Sequence, residues 1–162
     1  MILAFGIRGF VFQAFFVPSA SMVPTLQVGD RILVEKLFFD ANKLRTGDII
    51  VFRRPAGDKV CGLNEADFVK RVIATAGERV SSVGQTVYIN KKPLAEPWLP
   101  KNEALGPSIK AQTVPQHELF VMGDNRPESC DSRYWGDVPT SGVIGKVELI
   151  WWRHGRPYLH FL

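Results

Sequence analysis

Short apolar runs separated by turn residues dominate this chain and limit what it can fold into. Runs at residues 30–39, 47–55 and 67–78 are bounded by Gly, Pro, Asn or Asp, and few segments place apolar residues at helical spacing. Closely spaced strands joined by tight turns are typical of antiparallel sheets. Because the 162 residues include 46% hydrophobic residues, the sequence predicts a single, mainly β domain over residues 1–162.

The second half of the chain continues this pattern. Residues 117–125 and 142–152 each predict a strand, and 86–94 predicts two short strands around an Asn-Lys-Lys turn. Five prolines interrupt residues 93–115. We therefore expect residues 79–116 to form a small, irregular β excursion on the main domain.

The N-terminal stretch MILAFGIRGFVFQAFFV is strongly apolar but is a poor membrane span, because it is short and carries Arg8 near its middle. No small-residue cleavage site follows it, so it does not resemble a secretory leader. Two interpretations stay open: a buried first strand or short helix, or the tail end of a membrane anchor. In the second, residues 1–14 are the remnant of an anchor region that contacts lipid.

The net charge of +4 fits a surface near anionic lipid, and it also fits nucleic acid. The basic residues are scattered, however, and the chain has no basic helix, zinc spacing or aromatic RNA-binding motif. Nucleic acid is therefore not an expected partner.

Cys61 and Cys130 are far apart and have no histidine at metal-ligand spacing, so a zinc site is not expected. They are either two unrelated buried thiols or one disulfide. A disulfide would close a long loop, contribute about 4 kcal/mol to stability, and indicate an oxidising compartment. From the residues alone both remain open.

The stretch PSASMVPTL, residues 18–26, places Ser19 and Ser21 between two prolines. In an extended segment these serines face the same way. One hydroxyl can then attack a carbonyl while the other helps to hold the oxyanion. The alternative is a proline-bracketed turn without chemistry.

A serine nucleophile needs a base, and lysine is a better candidate here than histidine. None of the three histidines has an obvious acidic partner beside it; they are His117, His154 and His160. Lysine becomes a useful base when burial brings its pKa down to roughly 7–8. In DFVKRVI, Lys70 shares a strand face with Phe68 and Val72. Lys36 is the second choice, and a snorkelling surface lysine is the alternative interpretation of Lys70.

The segment GDNRPESCDSRYWGD, residues 123–137, combines acids, arginines, serines and turn formers with Cys, Tyr and Trp. This mixture favours a packed, hydrogen-bonded loop over a solvated one. Asp131 and Arg133 are placed to form an ion pair, and a serine of this loop is placed to orient a lysine ammonium.

Four stretches in order resemble the bacterial type I signal peptidases, membrane-anchored serine proteases with a Ser–Lys dyad. They are PSASMVPTLQVGD from residue 18, GDIIVF from 47, FVKRVIATAGE from 68 and GDNRPESCDSRYWGDVP from 123. One such stretch is weak evidence, but four in the right order are specific. The resemblance covers about residues 15–152 and implies a mainly β fold with antiparallel sheets and a twisted, β-barrel-like catalytic core.

The resemblance also implies roles for individual residues. Ser21 is the nucleophile, Ser19 supports the oxyanion together with the Ser21 N–H, Lys70 is the general base, and Ser129 orients the lysine. Three charged residues support the site: Arg71, Asp131 and Arg133. Positions that bind the substrate, with shallow pockets for its small side chains, are Phe15, Val17, Pro18, Met22, Leu26, Ile32, Phe68 and Val69.

The implied activity is cleavage of N-terminal signal peptides from exported preproteins after small-x-small residues, with no metal or cofactor. The implied location is the cell membrane, with the catalytic domain on the extracytoplasmic side and the lipid surface as a partner. An exported domain favours a disulfide between Cys61 and Cys130 that braces the last loop. The short spacer after the lysine stretch implies a reduced second β-subdomain. The rival hypotheses are a self-cleaving Ser–Lys protease, an inactive β scaffold, and a lipid- or nucleic-acid-binding protein.

Overall fold

The computed structural model describes residues 11–55, 61 and 66–162. In chain order its strands are β1 Phe12–Phe16, β2 Arg31–Glu35, β3 Ile49–Arg53, β4 Asp67–Thr75, β5 Arg79–Val83, β6 Thr86–Ile89, β7 Lys92–Pro93, β8 Gln112–Thr113, β9 Glu118–Met122, β10 Val138–Pro139, β11 Val143–Arg153 and β12 Arg156–Phe161. A short α-helix, α1, spans Ser132–Trp135, and 3-10 turns form at Ala41–Lys43, Arg126–Glu128 and Thr140–Gly142. Most of the predicted N-terminal segment, residues 1–10, lies outside the described residues.

The strands form two antiparallel sheets. The larger has the order β1-β2-β11-β3-β4-β9-β10, with β12 paired to β11, and the smaller has the order β7-β6-β5-β8. The prediction of a mainly β fold with antiparallel sheets is confirmed. The pairings of the described residues do not require the larger sheet to close into a barrel. Within the part of the chain that the structure describes, no helix is long and apolar enough to cross a membrane.

Both faces of the larger sheet are buried at its centre. Along β3, Ile49 and Val51 enter one hydrophobic cluster, whereas Ile50 and Phe52 enter another on the opposite face. This alternation follows from the two-residue period of a strand. It explains why residues 47–55 read as a continuous apolar run, and it places the neighbouring strand β4 in a desolvated setting.

The smaller sheet is more regular than the sequence predicted for residues 79–116. Val80 and Val87 are fully buried and pack with Ile73 and Phe120, which gives the sheet its own core against the larger one. Its strands are only two to five residues long, so their alternation is too brief to be distinguished from loop in a proline-rich sequence. The predicted pair of short strands around an Asn-Lys-Lys turn is present as β6 and β7.

A disulfide joins Cys61 to Cys130, with 6.1 Å between the Cα atoms and a sequence separation of 69. It links the segment between β3 and β4 to the loop that follows β9. Of the two possibilities that the sequence left open, the structure has the disulfide.

Asp137 lies just before β10, in a partly buried position. Burial raises the pKa of its carboxyl from 3.8 to about 6, and the Glu118 carboxylate nearby adds to that rise. In the unfolded chain the carboxyl returns to its ordinary value. Between these two values the folded state therefore holds a proton that the unfolded state has released, so this group lowers stability as pH rises through that window.

We expect Asp137→Asn to be more stable than the parent above pH ~6, by about 1 kcal/mol because solvent screens this partly exposed group, and equal to it near pH 4. The neutral amide carries no ionisation penalty, and the parent carboxyl is itself neutral at low pH. Urea unfolding of both proteins at several pH values measures the difference. A difference that stays constant between pH 4 and 8 contradicts the argument.

Candidate active site

The serine-containing stretch forms a compact turn between β1 and β2. The Val17 N–H donates to Asp30 O and the Gly29 N–H donates to Val17 O, both at 2.9 Å, so the two ends of the turn are tied together. Met22 and Leu26 are fully buried in the hydrophobic cluster beneath it. These anchors make the turn a packed part of the core and fix the backbone that carries Ser19 and Ser21.

Ser21 and Lys70 are in direct contact. Lys70 Nζ lies 2.7 Å from Ser21 Oγ and 3.0 Å from Val69 O. Lys70 is only 3% exposed and Ser21 8%. Ser19 Oγ lies 3.4 Å from Ser21 Oγ. The residues that the sequence singled out as nucleophile, base and oxyanion partner are therefore brought together.

The loop after β9 packs against this pair. The Gly123 N–H donates to Ser129 Oγ at 3.1 Å and to Asp131 Oδ2 at 3.0 Å. A Cβ at Gly123 would overlap Ser129 Oγ and Ser21 O, so only glycine lets the loop approach so closely. Among the hydrogen bonds between described residues, none joins Ser129 to Lys70.

Two buried ion pairs lie next to the site. Arg133 donates to Asp131 through Nε at 2.8 Å and Nη2 at 2.7 Å, as the sequence anticipated. Arg71 makes a second two-pronged pair with Asp124, through Nε at 2.8 Å and Nη2 at 2.6 Å. Asp124 was not singled out from the sequence. It lies among several acids of one loop, and nothing in its spacing marks it as the partner of an arginine on β4.

A cavity of about 420 Å³ opens beside the Ser21–Lys70 pair. Of the predicted substrate-binding residues, its walls include Phe15, Pro18, Ile32, Phe68 and Val69. Val17, Met22 and Leu26 are not among the lining residues; they are buried in the core below. The sequence could not separate these groups, because whether an apolar side chain points to a groove or to a core depends on how the turn folds.

Several lining residues were not predicted: Phe16, Ala20, Val51, Asp67 and Glu128. Ala20 lies between the two serines, and Phe16 and Asp67 each adjoin a predicted pocket residue, so proximity in sequence was the available signal. Cys61 and Cys130 also line the cavity, which places the disulfide at its wall.

The site combines a serine hydroxyl, a desolvated lysine in contact with it, and a groove with mostly apolar walls. Such a hydroxyl can attack the carbonyl carbon of a peptide bond and cleave that bond. Ser–Lys pairs are a recurring variant of the serine-protease triad. The site therefore indicates a serine peptidase with a buried Ser–Lys pair.

Comparison with known proteins narrows this class. Residues 1–152 match the family described as "Signal peptidase, peptidase S26". A signal peptidase I of Leptolyngbya laminosa is 44% identical over 160 residues, covering 96% of this chain and 76% of that protein. A signal peptidase I of Bacillus caldolyticus is 35% identical over 158 residues, covering 90% and 82%.

A solved structure supports the same family. A crystal structure of a signal peptidase I from Enterococcus faecalis V583 is 34% identical and aligns with a TM-score of 0.53, covering 64% of this chain and 96% of that one. The chain belongs to the signal peptidase family, peptidase S26, and is a serine endopeptidase of that family.

The Arg71–Asp124 pair generates a stability prediction. Both side chains are buried, so Asp124→Asn would leave an arginine charge without its counter-charge. We expect a loss of about 3–5 kcal/mol in the free energy of unfolding, measured by urea denaturation.

The matched control is Asp40→Asn, which removes an exposed carboxylate 3.7 Å from Lys43. Because solvent screens that pair, its removal should leave the unfolding midpoint almost unchanged. Equal effects of the two substitutions would show that the buried pair is not a significant source of stability.

Proposed function

We propose that this chain removes N-terminal signal peptides from exported preproteins, cutting after small-x-small residues, with Ser21 as nucleophile and Lys70 as general base. The observation that supports this most directly is the 2.7 Å contact between Ser21 Oγ and Lys70 Nζ, because both residues are buried. Desolvation disfavours the ammonium form of a lysine, and a neutral amine at this distance can accept the serine proton.

The reaction proceeds through an acyl-enzyme. Ser21 Oγ attacks the scissile carbonyl while Lys70 Nζ accepts the hydroxyl proton. The tetrahedral intermediate collapses, the C–N bond breaks, and Lys70 gives the proton to the leaving amine. A water molecule then attacks the ester as Lys70 accepts its proton. Ser21 is the second leaving group and regains a proton from Lys70, so protons balance over the cycle.

Two donors are available for the oxyanion. The Ser21 backbone N–H has no hydrogen-bond acceptor among the residues described, and the Ser19 hydroxyl lies next to the nucleophile. Donors fixed before the reaction stabilise the developing negative charge without the cost of reorienting. We assign Ser19 Oγ and Ser21 N to this role.

The remaining polar residues support the site. We propose that Asp131, Arg133 and Arg71 fix the loop after β9 and the strand that carries Lys70. The proposed contact of Ser129 with the lysine has no counterpart in the hydrogen bonds described above. Its bond from the Gly123 N–H supports a role in shaping the loop that packs on Ser21.

Two strand edges border the cavity and are suited to an extended substrate. Among the described strands, β1 is the outermost of its sheet, and β9 pairs with β4 only from Arg71 onward. Residues 67–70 therefore present a strand edge that β9 does not cover. We propose that the substrate backbone adds to these edges, while its small side chains enter pockets formed by Phe15, Ile32 and Val69.

The dyad is tested with the purified chain and a soluble peptide that contains one small-x-small site. Ser21→Ala and Lys70→Met should each lower kcat/KM more than about a thousandfold, because nucleophile and base act as a unit. Ser19→Ala should lower kcat about a hundredfold through loss of one oxyanion donor.

Matched controls are Ser108→Ala and Lys110→Met, which make the same chemical changes at exposed positions just before β8 of the smaller sheet. These two should cleave at the parent rate. Parent-like cleavage by Lys70→Met would refute the assignment of the base.

We also propose that the domain works on the extracytoplasmic side of the cell membrane, against lipid. Leu37 and Phe38 are 60% and 75% exposed, next to the point where Lys36 N–H bonds Val11 O at the start of β1. Exposed apolar clusters of this kind favour an interface or a lipid surface. The disulfide fits an oxidising compartment.

Flotation with vesicles that contain anionic lipid tests the membrane contact. The double variant Leu37→Ser/Phe38→Ser should float several-fold less than the parent, because it removes the apolar surface at the start of β1. Val83→Ser removes a 70% exposed apolar side chain from the smaller sheet and should float like the parent. Equal loss in both variants would argue against a defined lipid-binding surface.

A further inference from the structure

One residue of the loop after β9 holds both carbonyl groups that flank the nucleophile. The Asn125 backbone N–H donates to Ser21 O at 3.1 Å, and its side-chain Nδ2 donates to Ala20 O, also at 3.1 Å. Ala20 O accepts a second hydrogen bond from the Val23 N–H at 3.0 Å. The peptide unit between Ala20 and Ser21 is therefore fixed from two directions.

This peptide unit carries the oxyanion donor. A peptide bond is planar, and in the trans form its C=O and N–H point in opposite directions. The Ala20 C=O and the Ser21 N–H belong to the same trans unit. Any group that holds Ala20 O therefore also sets the direction of the Ser21 N–H.

We propose that Asn125 is a positioning residue, whose side-chain amide holds the Ala20–Ser21 peptide so that the Ser21 N–H faces the scissile carbonyl oxygen. This inference rests on the proposed function and adds a specific cause for the oxyanion geometry. A hydrogen bond to the carbonyl also polarises the amide, which strengthens its N–H as a donor.

The chemistry of the asparagine side chain suits this task. Its NH2 group donates to Ala20 O without bringing charge to the site. A carboxylate of the same shape would lose the donor and place a negative charge close to both Ala20 O and the developing oxyanion. An alanine would leave Ala20 O with the Val23 N–H as its remaining partner.

The alternative is that Asn125 only ties the loop to the serine turn. The two hydrogen bonds distinguish these roles, because the bond from its backbone N–H to Ser21 O persists in every side-chain variant. Asn125 is also only partly buried and belongs to none of the hydrophobic clusters. Its side chain can therefore be changed without opening a cavity in the core.

The test uses the full chain with Asn125→Asp and Asn125→Ala. For each variant we would measure kcat and KM with a soluble peptide substrate, and the inhibition constant of a peptide aldehyde of matching sequence. The aldehyde forms a tetrahedral adduct with a serine hydroxyl, so its affinity reports on the oxyanion donors. Asn102→Asp and Asn42→Ala are the matched controls, at positions far from the site.

We expect kcat to fall about tenfold, which is less than the loss of about a hundredfold expected on deleting the Ser19 donor outright, while KM changes less than about twofold. The inhibition constant of the aldehyde should rise by the same factor as kcat falls. The parallel follows because both quantities depend on how the tetrahedral oxygen is held.

Three results would overturn the inference: an unchanged kcat in folded variants, a loss confined to KM, or a loss that matches a loss of folded protein in thermal unfolding. If the parent chain does not cleave the peptide, the proposed function fails and the inference falls with it. If the parent cleaves and the variants cleave equally well, only the inference fails.

Discussion

The proposed chemistry depends on the burial of one lysine side chain in the larger sheet. Lys70 lies on β4 between β3 and the last loop, and its amine contacts the Ser21 hydroxyl. A side chain of this kind is normally exposed because the ammonium is strongly hydrated. Burial of the amine requires apolar clusters on both faces of the sheet, and these are formed by the alternating residues of β3 and its neighbours. The core of the larger sheet is therefore also a condition for the proposed chemistry.

Two arginines near the site are held by carboxylates. Arg71 and Arg133 are also buried, but each makes two hydrogen bonds to a buried carboxylate. Such pairs fix the geometry of the residues that carry them, and removal of either partner is costly. Arg71 follows Lys70 directly on β4. The Arg71 guanidinium pairs with Asp124, whereas the Lys70 amine contacts the Ser21 hydroxyl. The strand alternation sends these two side chains to different surroundings.

The parts of this molecule that could be predicted are those that depend on local pattern. Lys70 could be predicted as a site residue because an amine between Phe68 and Val72 on one strand face is unusual. The strand itself could be predicted from its apolar run. The strands of the smaller sheet could not all be predicted, because they are very short and prolines interrupt this part of the sequence. Val17, Met22 and Leu26 were assigned to substrate pockets but lie in the core, since the turn that carries them folds back on itself. Asn125 and Asp124 contact residues that are distant in sequence. Asn125 donates to the backbone carbonyl of Ala20, and Asp124 pairs with Arg71. Residue spacing in the sequence does not indicate such contacts.

Substrate entry and the proposed membrane contact converge on β1. Phe16 lines the cavity and is 61% exposed, so this apolar side chain is accessible both from the groove and from solvent. β1 is also an edge strand, whose open side can pair with an extended peptide. A peptide that leaves an apolar phase loses its partners for backbone hydrogen bonds unless another strand supplies them. In the proposed function, β1 supplies these partners to the arriving peptide and leads directly to Ser21. The proposal also gives a reason for the place of Ser21 in the turn that follows β1: the strand proposed to receive the substrate then also sets the position of the attacking hydroxyl.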